Sequence, residues 1–69
     1  MEFKQVIVSG EVFNVCKVTK PVAVVNYFSL DPTVAAPGDF IVRDRFMKLY
    51  VLTPQAAAEA FGSRLEVFE

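Results

Sequence analysis

Sixty-nine residues carry seven Lys and Arg against eight Asp and Glu, no His and a single Cys. That length makes one domain, below the size at which a single core is comfortably stable. The near-neutral balance argues against nucleic acid as a partner, because its binders carry a clustered basic excess to neutralise phosphate.

The apolar share is 54%, above the roughly 45–50% of an ordinary globular domain. A chain this short buries only about 60% of the surface its unfolded form exposes. Some apolar surface is therefore expected on the outside of a monomer, as a homodimer contact or as a standing surface for another protein. No apolar run approaches the roughly 20 residues of a bilayer span, and no basic run marks a membrane surface, so no membrane partner is expected. The opening Met1-Glu2-Phe3-Lys4-Gln5 lacks the basic-then-apolar pattern of a signal peptide. Cys16 has no second cysteine to pair with, in keeping with a reducing cytoplasm.

In chain order, Phe3 to Val8 reads as a strand, Ser9-Gly10 as a turn, and Glu11 to Val18 as the return strand of a hairpin. Pro21 cannot donate to a ladder and belongs at the start of a strand. Val22-Ala23-Val24-Val25-Asn26-Tyr27-Phe28 is almost continuously apolar, which predicts a central strand covered on both faces. Asn26, its polar exception, is expected to satisfy neighbouring backbone. Leu30-Asp31-Pro32-Thr33 reads as a turn, and Ala35-Ala36-Pro37-Gly38-Asp39 as another. There Pro37 presets φ and Gly38 supplies the positive φ of a type II turn. Asp39 can hydrogen-bond nearby backbone and fix the start of the next strand, Phe40-Ile41-Val42. A loop over residues 43–48 and a return strand Leu49-Tyr50-Val51-Leu52 complete a second hairpin.

Thr53-Pro54 is the strongest helix start in the chain, with Thr53 accepting from first-turn amides and Pro54 at a position that needs no partner. Gln55 to Phe61 are good helix formers and Gly62 is the expected cap. Ala57, Ala58 and Phe61 share one face, so the helix should plug the sheet with Phe61. Leu65, Val67 and Phe68 read as a last strand or a docked tail.

Chemistry is scarce. Without His there is no Ser-His or Cys-His nucleophile and no His acid–base group, and one Cys makes no thiolate cluster. No catalytic, metal-binding or cofactor-binding residues are therefore expected, and no enzyme. Asp39 is the best-placed of the carboxylates Asp31, Asp39 and Asp44, but an Asp after Pro-Gly is a turn stabiliser first. Three glycines in all, none of them immediately before the Thr53 helix, cannot build a phosphate loop. Arg43, Arg45 and Lys48, with Phe46 and Met47 between them, form the one candidate contact site. The cluster is either a binding hot spot, since Arg and aromatics anchor partners, or a solvated hairpin tip part-neutralised by Asp44.

Lys20-Pro21-Val22, then Pro37-Gly38-Asp39-Phe40-Ile41-Val42, then Tyr50-Val51-Leu52-Thr53-Pro54 and Phe61 resemble a family of small phage and prophage proteins named for its Pro-Gly-Asp-Tyr-Gly signature. The likeness covers residues 20–61. Residues 1–19 add a hairpin ahead of it, the segment from Ser29 to Ala36 is shorter than the family's variable middle, and Ala57 stands where members often carry Phe. The resemblance implies an origin, a phage protein working in the cytoplasm of an infected host, and the family brings no agreed biochemical role.

Together these readings predict a single α+β, mainly β domain: an antiparallel sheet of five or six short strands, curled toward a partial barrel, with one short helix near the C-terminus. It would comprise an N-terminal hairpin (1–19), a family-like core (20–61) and a C-terminal strand or tail (62–69). The expected core is Val22, Val24, Phe28, Phe40, Val42, Val51 and Phe61. The expected function is non-enzymatic binding to a host protein or defence machine. The alternatives are a virion or assembly accessory acting by self-association, and a small-ligand module using a groove beside Asn26, Tyr27 and Tyr50.

Overall fold

The computed structural model describes residues 2–25 and 32–68. The described residues are mainly β, with six strands and a C-terminal helical segment. Strands β1 (Lys4–Val8) and β2 (Glu11–Lys17) form the predicted hairpin. Ser9 and Gly10 both have positive φ, 51° and 79°. A two-residue connection requires this if its twist is to match the strands it joins.

Strands β5 (Phe40–Arg43) and β6 (Leu49–Leu52) form the second hairpin, and β2 pairs antiparallel with β5. The result is a four-stranded sheet in the order β1-β2-β5-β6. The N-terminal hairpin is therefore integral to the sheet and supplies one of its two central strands. Phe40, Ile41 and Val42 are all buried, which makes β5 the strand sealed on both faces.

The turn before β5 works as its residues dictate. Gly38 has φ +97°. The Asp39 amide donates to the Ala36 carbonyl at 3.0 Å, while the Asp39 carboxylate accepts from the Ala36 amide at 2.9 Å. The Gly38 amide donates to the Val18 carbonyl, and the Val18 amide to the Asp39 carbonyl, both at 2.9 Å. The turn is thus bonded to itself and to the end of β2, which fixes where β5 begins.

Two sequence expectations are corrected here. Residues 22–25 do not form a central strand. They are β3 (Val22–Val25), which pairs with β4 (Pro32–Ala35) in a separate two-stranded ribbon lying over one face of the main sheet. Pro32-Thr33 is accordingly no turn but the start of β4, with Pro32 at the one strand position it tolerates well. Among the described residues six antiparallel strands are present, divided four and two, and the sheet does not close.

The helix α1 (Pro54–Phe61) starts where predicted: the Thr53 hydroxyl accepts from the Ala56 amide at 3.2 Å. It ends at Gly62, whose amide donates to the Ala58 carbonyl. Ala57 and Phe61 face the core, but Ala58 faces outward, since it lies about 100° round the helix from Ala57. Residues Gly62–Phe68 continue as a 3₁₀ turn, not a strand. This tail is docked on β1: Arg64 Nε donates to the Ile7 carbonyl and Lys4 Nζ to the Val67 carbonyl, each at 2.7 Å.

Strand alternation then makes two cores, one on each face of the main sheet. Val6, Val15, Phe40 and Val42 meet Ala57 and Phe61 on the helix side. Cys16, Val18 and Ile41 meet Val24 and Ala35 of the ribbon on the other. Of the expected core, Val24, Phe40, Val42 and Phe61 are buried; Val22 and Val51 are half-buried at the edge of the ribbon-side core, and Phe28 lies outside the described residues.

Candidate functional site

The loop between β5 and β6 spans residues 44–48 and closes by hydrogen bonds between Asp44 and Lys48 around the three residues 45–47. The Asp44 amide donates to the Lys48 carbonyl at 3.2 Å, and the Met47 amide to the Asp44 carbonyl at 3.0 Å. The Asp44 carboxylate oxygen Oδ1 accepts from the amides of Phe46 (2.8 Å) and Lys48 (3.1 Å). Its charge is thereby spent on holding the loop in shape. Met47 has φ +65°, the left-handed position that ends such a loop and usually falls to Gly.

On this frame Phe46 and Met47 stand out, 63% and 69% exposed. The Arg45 guanidinium sits 4.8 Å from the Phe46 ring centroid and the Lys48 ammonium 5.8 Å from it, so the ring lies within reach of two cations. Arg45 also reaches Glu11 at 3.9 Å, an exposed pair worth little.

The structure brings Arg45, Phe46, Met47 and Lys48 together and sends Arg43 elsewhere. Arg43 is the last residue of β5 and shares a face with Ile41, two residues before it. Its guanidinium lies 5.1 Å from the Phe3 ring centroid on the ribbon side of the sheet. Arg43 thus belongs to β5, whose period turns it away from the tip. Pro37, Gly38 and Asp39 form the turn expected of them. Asn26 and Tyr27, proposed beside Tyr50 as a groove, lie outside the described residues. Tyr50 itself packs on the helix-side core. Its hydroxyl titrates above the ordinary tyrosine range, chiefly because it is partly buried and secondarily because the carboxylates of Asp44 and Glu11 oppose its ionisation.

Two features escaped the sequence reading. The first is the outer face of the ribbon, where Ala23, Val25, Pro32 and Val34 are all exposed. Alternation within each short run would have shown it, had residues 32–35 been read as a strand. The second is a pair of clefts. One, of about 510 Å³, is bordered by Lys4, Lys17 and Lys20 with Glu2 among them; the Lys4 ammonium is already committed to the Val67 carbonyl. The other, of about 420 Å³, opens between β3 and the β5–β6 hairpin and is apolar apart from Arg43.

Among the described residues no group of three His, Cys, Asp or Glu could hold a metal ion, and no helix is long and apolar enough to cross a membrane. Cys16 is a free, buried thiol within the ribbon-side core. Set against models of protein families, curated proteins and solved structures, the chain matches none.

Proposed function

We propose that this chain is a non-enzymatic binding protein that docks onto another protein through the β5–β6 tip. Met47 carries the proposal. Holding a residue other than glycine in the left-handed region costs about 1–2 kcal/mol, and here the side chain so held is large, apolar and exposed. Glycine would satisfy the loop better, and a polar side chain would satisfy the solvent better. An exposed methionine at a costly backbone position is what a contact residue looks like when display outweighs stability.

The loop is also held in shape before any partner arrives, because Asp44 makes four hydrogen bonds to the backbone of Phe46, Met47 and Lys48 through its amide, carbonyl and carboxylate. Pre-ordering lowers the entropy cost of association. The cations flanking Phe46 favour a partner whose apolar pocket has an acidic rim. The resemblance to the phage family makes the partner a host protein or defence machine in an infected cell's cytoplasm.

The test is capture from host lysate with the purified protein, in parallel with Phe46→Ala and Met47→Gly. Wild type should recover a partner that both variants lose while remaining folded. Recovery of nothing above background, or equal recovery by the variants, would sink the proposal.

A second reading, self-association as a homodimer or an assembly accessory, is favoured by the apolar outer face of the ribbon. Val25 and Val34 are 64% and 66% exposed there. Sedimentation across a concentration series should then show higher-order species without any host component, and Val34→Lys should abolish them.

A further inference from the structure

Arg43 is the odd residue of the ribbon-side face. Its neighbours there are Ile41 on its own strand and Leu49, its cross-strand partner on β6. Its Nε is buried and has no hydrogen-bond partner. A guanidinium N–H cut off from water without an acceptor is costly, and the cost is normally offset by a carboxylate or a carbonyl. Among the described residues Arg43 has no ion pair; its close partner is the Phe3 ring at 5.1 Å, which screens one side of the cation without neutralising it. Its β2 neighbour is Asn14, which is uncharged.

The same residue lines the cleft of about 420 Å³ between β3 and the β5–β6 hairpin. The stack of Phe3 and Arg43 forms part of the wall, with the β3 residues Val22 to Val25, Ile41 and Leu49 as the rest, and Arg43 is the sole charged residue lining it among the described residues. A cavity of this size, apolar with one placed polar group, has the composition of a small-ligand site. An anion would meet there a cation with no ion pair among the described residues, beside apolar walls.

We propose that this cleft binds a small carboxylate with an apolar body. The guanidinium, which presents donors in a planar fork, receives the carboxylate. The valine, isoleucine and leucine side chains take the hydrocarbon. The site lies on the ribbon side of the main sheet, apart from the Phe46–Met47 tip, and does not depend on the tip's function.

Titration with hexanoate, followed by the amide and methyl resonances of the full chain, tests it. Hexanol and hexylammonium serve as the neutral and cationic counterparts. Hexanoate should shift the signals of Val22, Val24, Ile41 and Leu49 saturably, and hexanol should bind about ten- to a hundredfold more weakly, the worth of a charge-assisted hydrogen bond. Arg43→Met should erase that preference while leaving the fold at least as stable, since it removes a buried Nε that has no hydrogen-bond partner. Arg43→Lys, which keeps the charge and loses the fork, should retain part of it. Phe46→Ala should bind hexanoate as wild type does. Equal binding of hexanol and hexanoate, undiminished preference in Arg43→Met, or no saturable shift at millimolar hexanoate would each overturn the proposal. If Arg43→Met does not fold, the ligand series on wild type and Arg43→Lys decides.

Discussion

The two faces of the four-stranded sheet are covered by different means. On the helix side the cover is aromatic: Phe61 meets Phe13 edge to face at 5.7 Å, and Phe68 meets Phe40 in the same way at 5.6 Å. Large rings on a helix and its 3₁₀ extension reach down onto the strands, and Lys4 and Arg64 tie the tail to β1. On the ribbon side the cover is made of small side chains, Val24 and Ala35 against Cys16, Val18 and Ile41. Valine and alanine bring two sheets close but fill less space, and the cleft beside Arg43 is what remains. The face with the large rings is built for stability, while the face with the small ones has room for a ligand.

The largest expected effect breaks the first half of that contrast. Phe61 is 3% exposed, and Phe61→Ala should cost about 3–5 kcal/mol, enough to unfold most of so small a domain at ambient temperature. Denaturant unfolding measures it directly, and a shift of only a few degrees in Tm would mean that the helix rests on the sheet without plugging it. Val24→Ala probes the other half. Removing two buried methyl groups there should cost about 1–2 kcal/mol, with amide exchange quickening first in β3 and β4. If exchange quickened equally throughout both sheets, the ribbon would be part of the same cooperative core and the contrast would fail. Thr53→Ala removes the acceptor for the Ala56 amide and should cost about 1 kcal/mol, expressed as fraying of α1 with the ribbon unaffected.

What could be foreseen from the sequence follows the same division. Ser9-Gly10, Pro37-Gly38-Asp39 and Thr53-Pro54 each encode their structure within four residues, through φ preferences and short-range hydrogen bonds. The two main hairpins and the helix were therefore legible. The ribbon was not. Val22-Ala23-Val24-Val25 has the composition of a strand covered on both faces, yet Ala23 and Val25 are exposed. The strand that is covered twice, β5, announces it with just three residues. Which run becomes central depends on pairing across the chain, β2 with β5, and no local pattern encodes that choice. The candidate tip was legible as a cluster of residue types, whereas the place of Arg43 depended on counting the strand period from Ile41. The Arg43 cleft needed the ribbon's position and could not be foreseen.

The smallest effect concerns the dryness of the helix side. Tyr50 is held above the ordinary tyrosine value of about 10, first by burial and then by Asp44 and Glu11. The folded state therefore keeps a proton that the unfolded chain releases, and it is more stable on that account wherever the unfolded tyrosine would still be protonated. This contribution is complete below about pH 10 and declines as pH rises from there through the folded-state value. Tyrosinate absorbance in a Tyr27→Phe background isolates the group, and stability measured over the same alkaline range should fall as the absorbance rises. Glu11→Gln should lower the titration point slightly without returning it to the ordinary value, because burial, the larger cause, remains. Complete return in that variant would make the shift electrostatic, and the Tyr50 hydroxyl would then stand in water at the margin of the aromatic core.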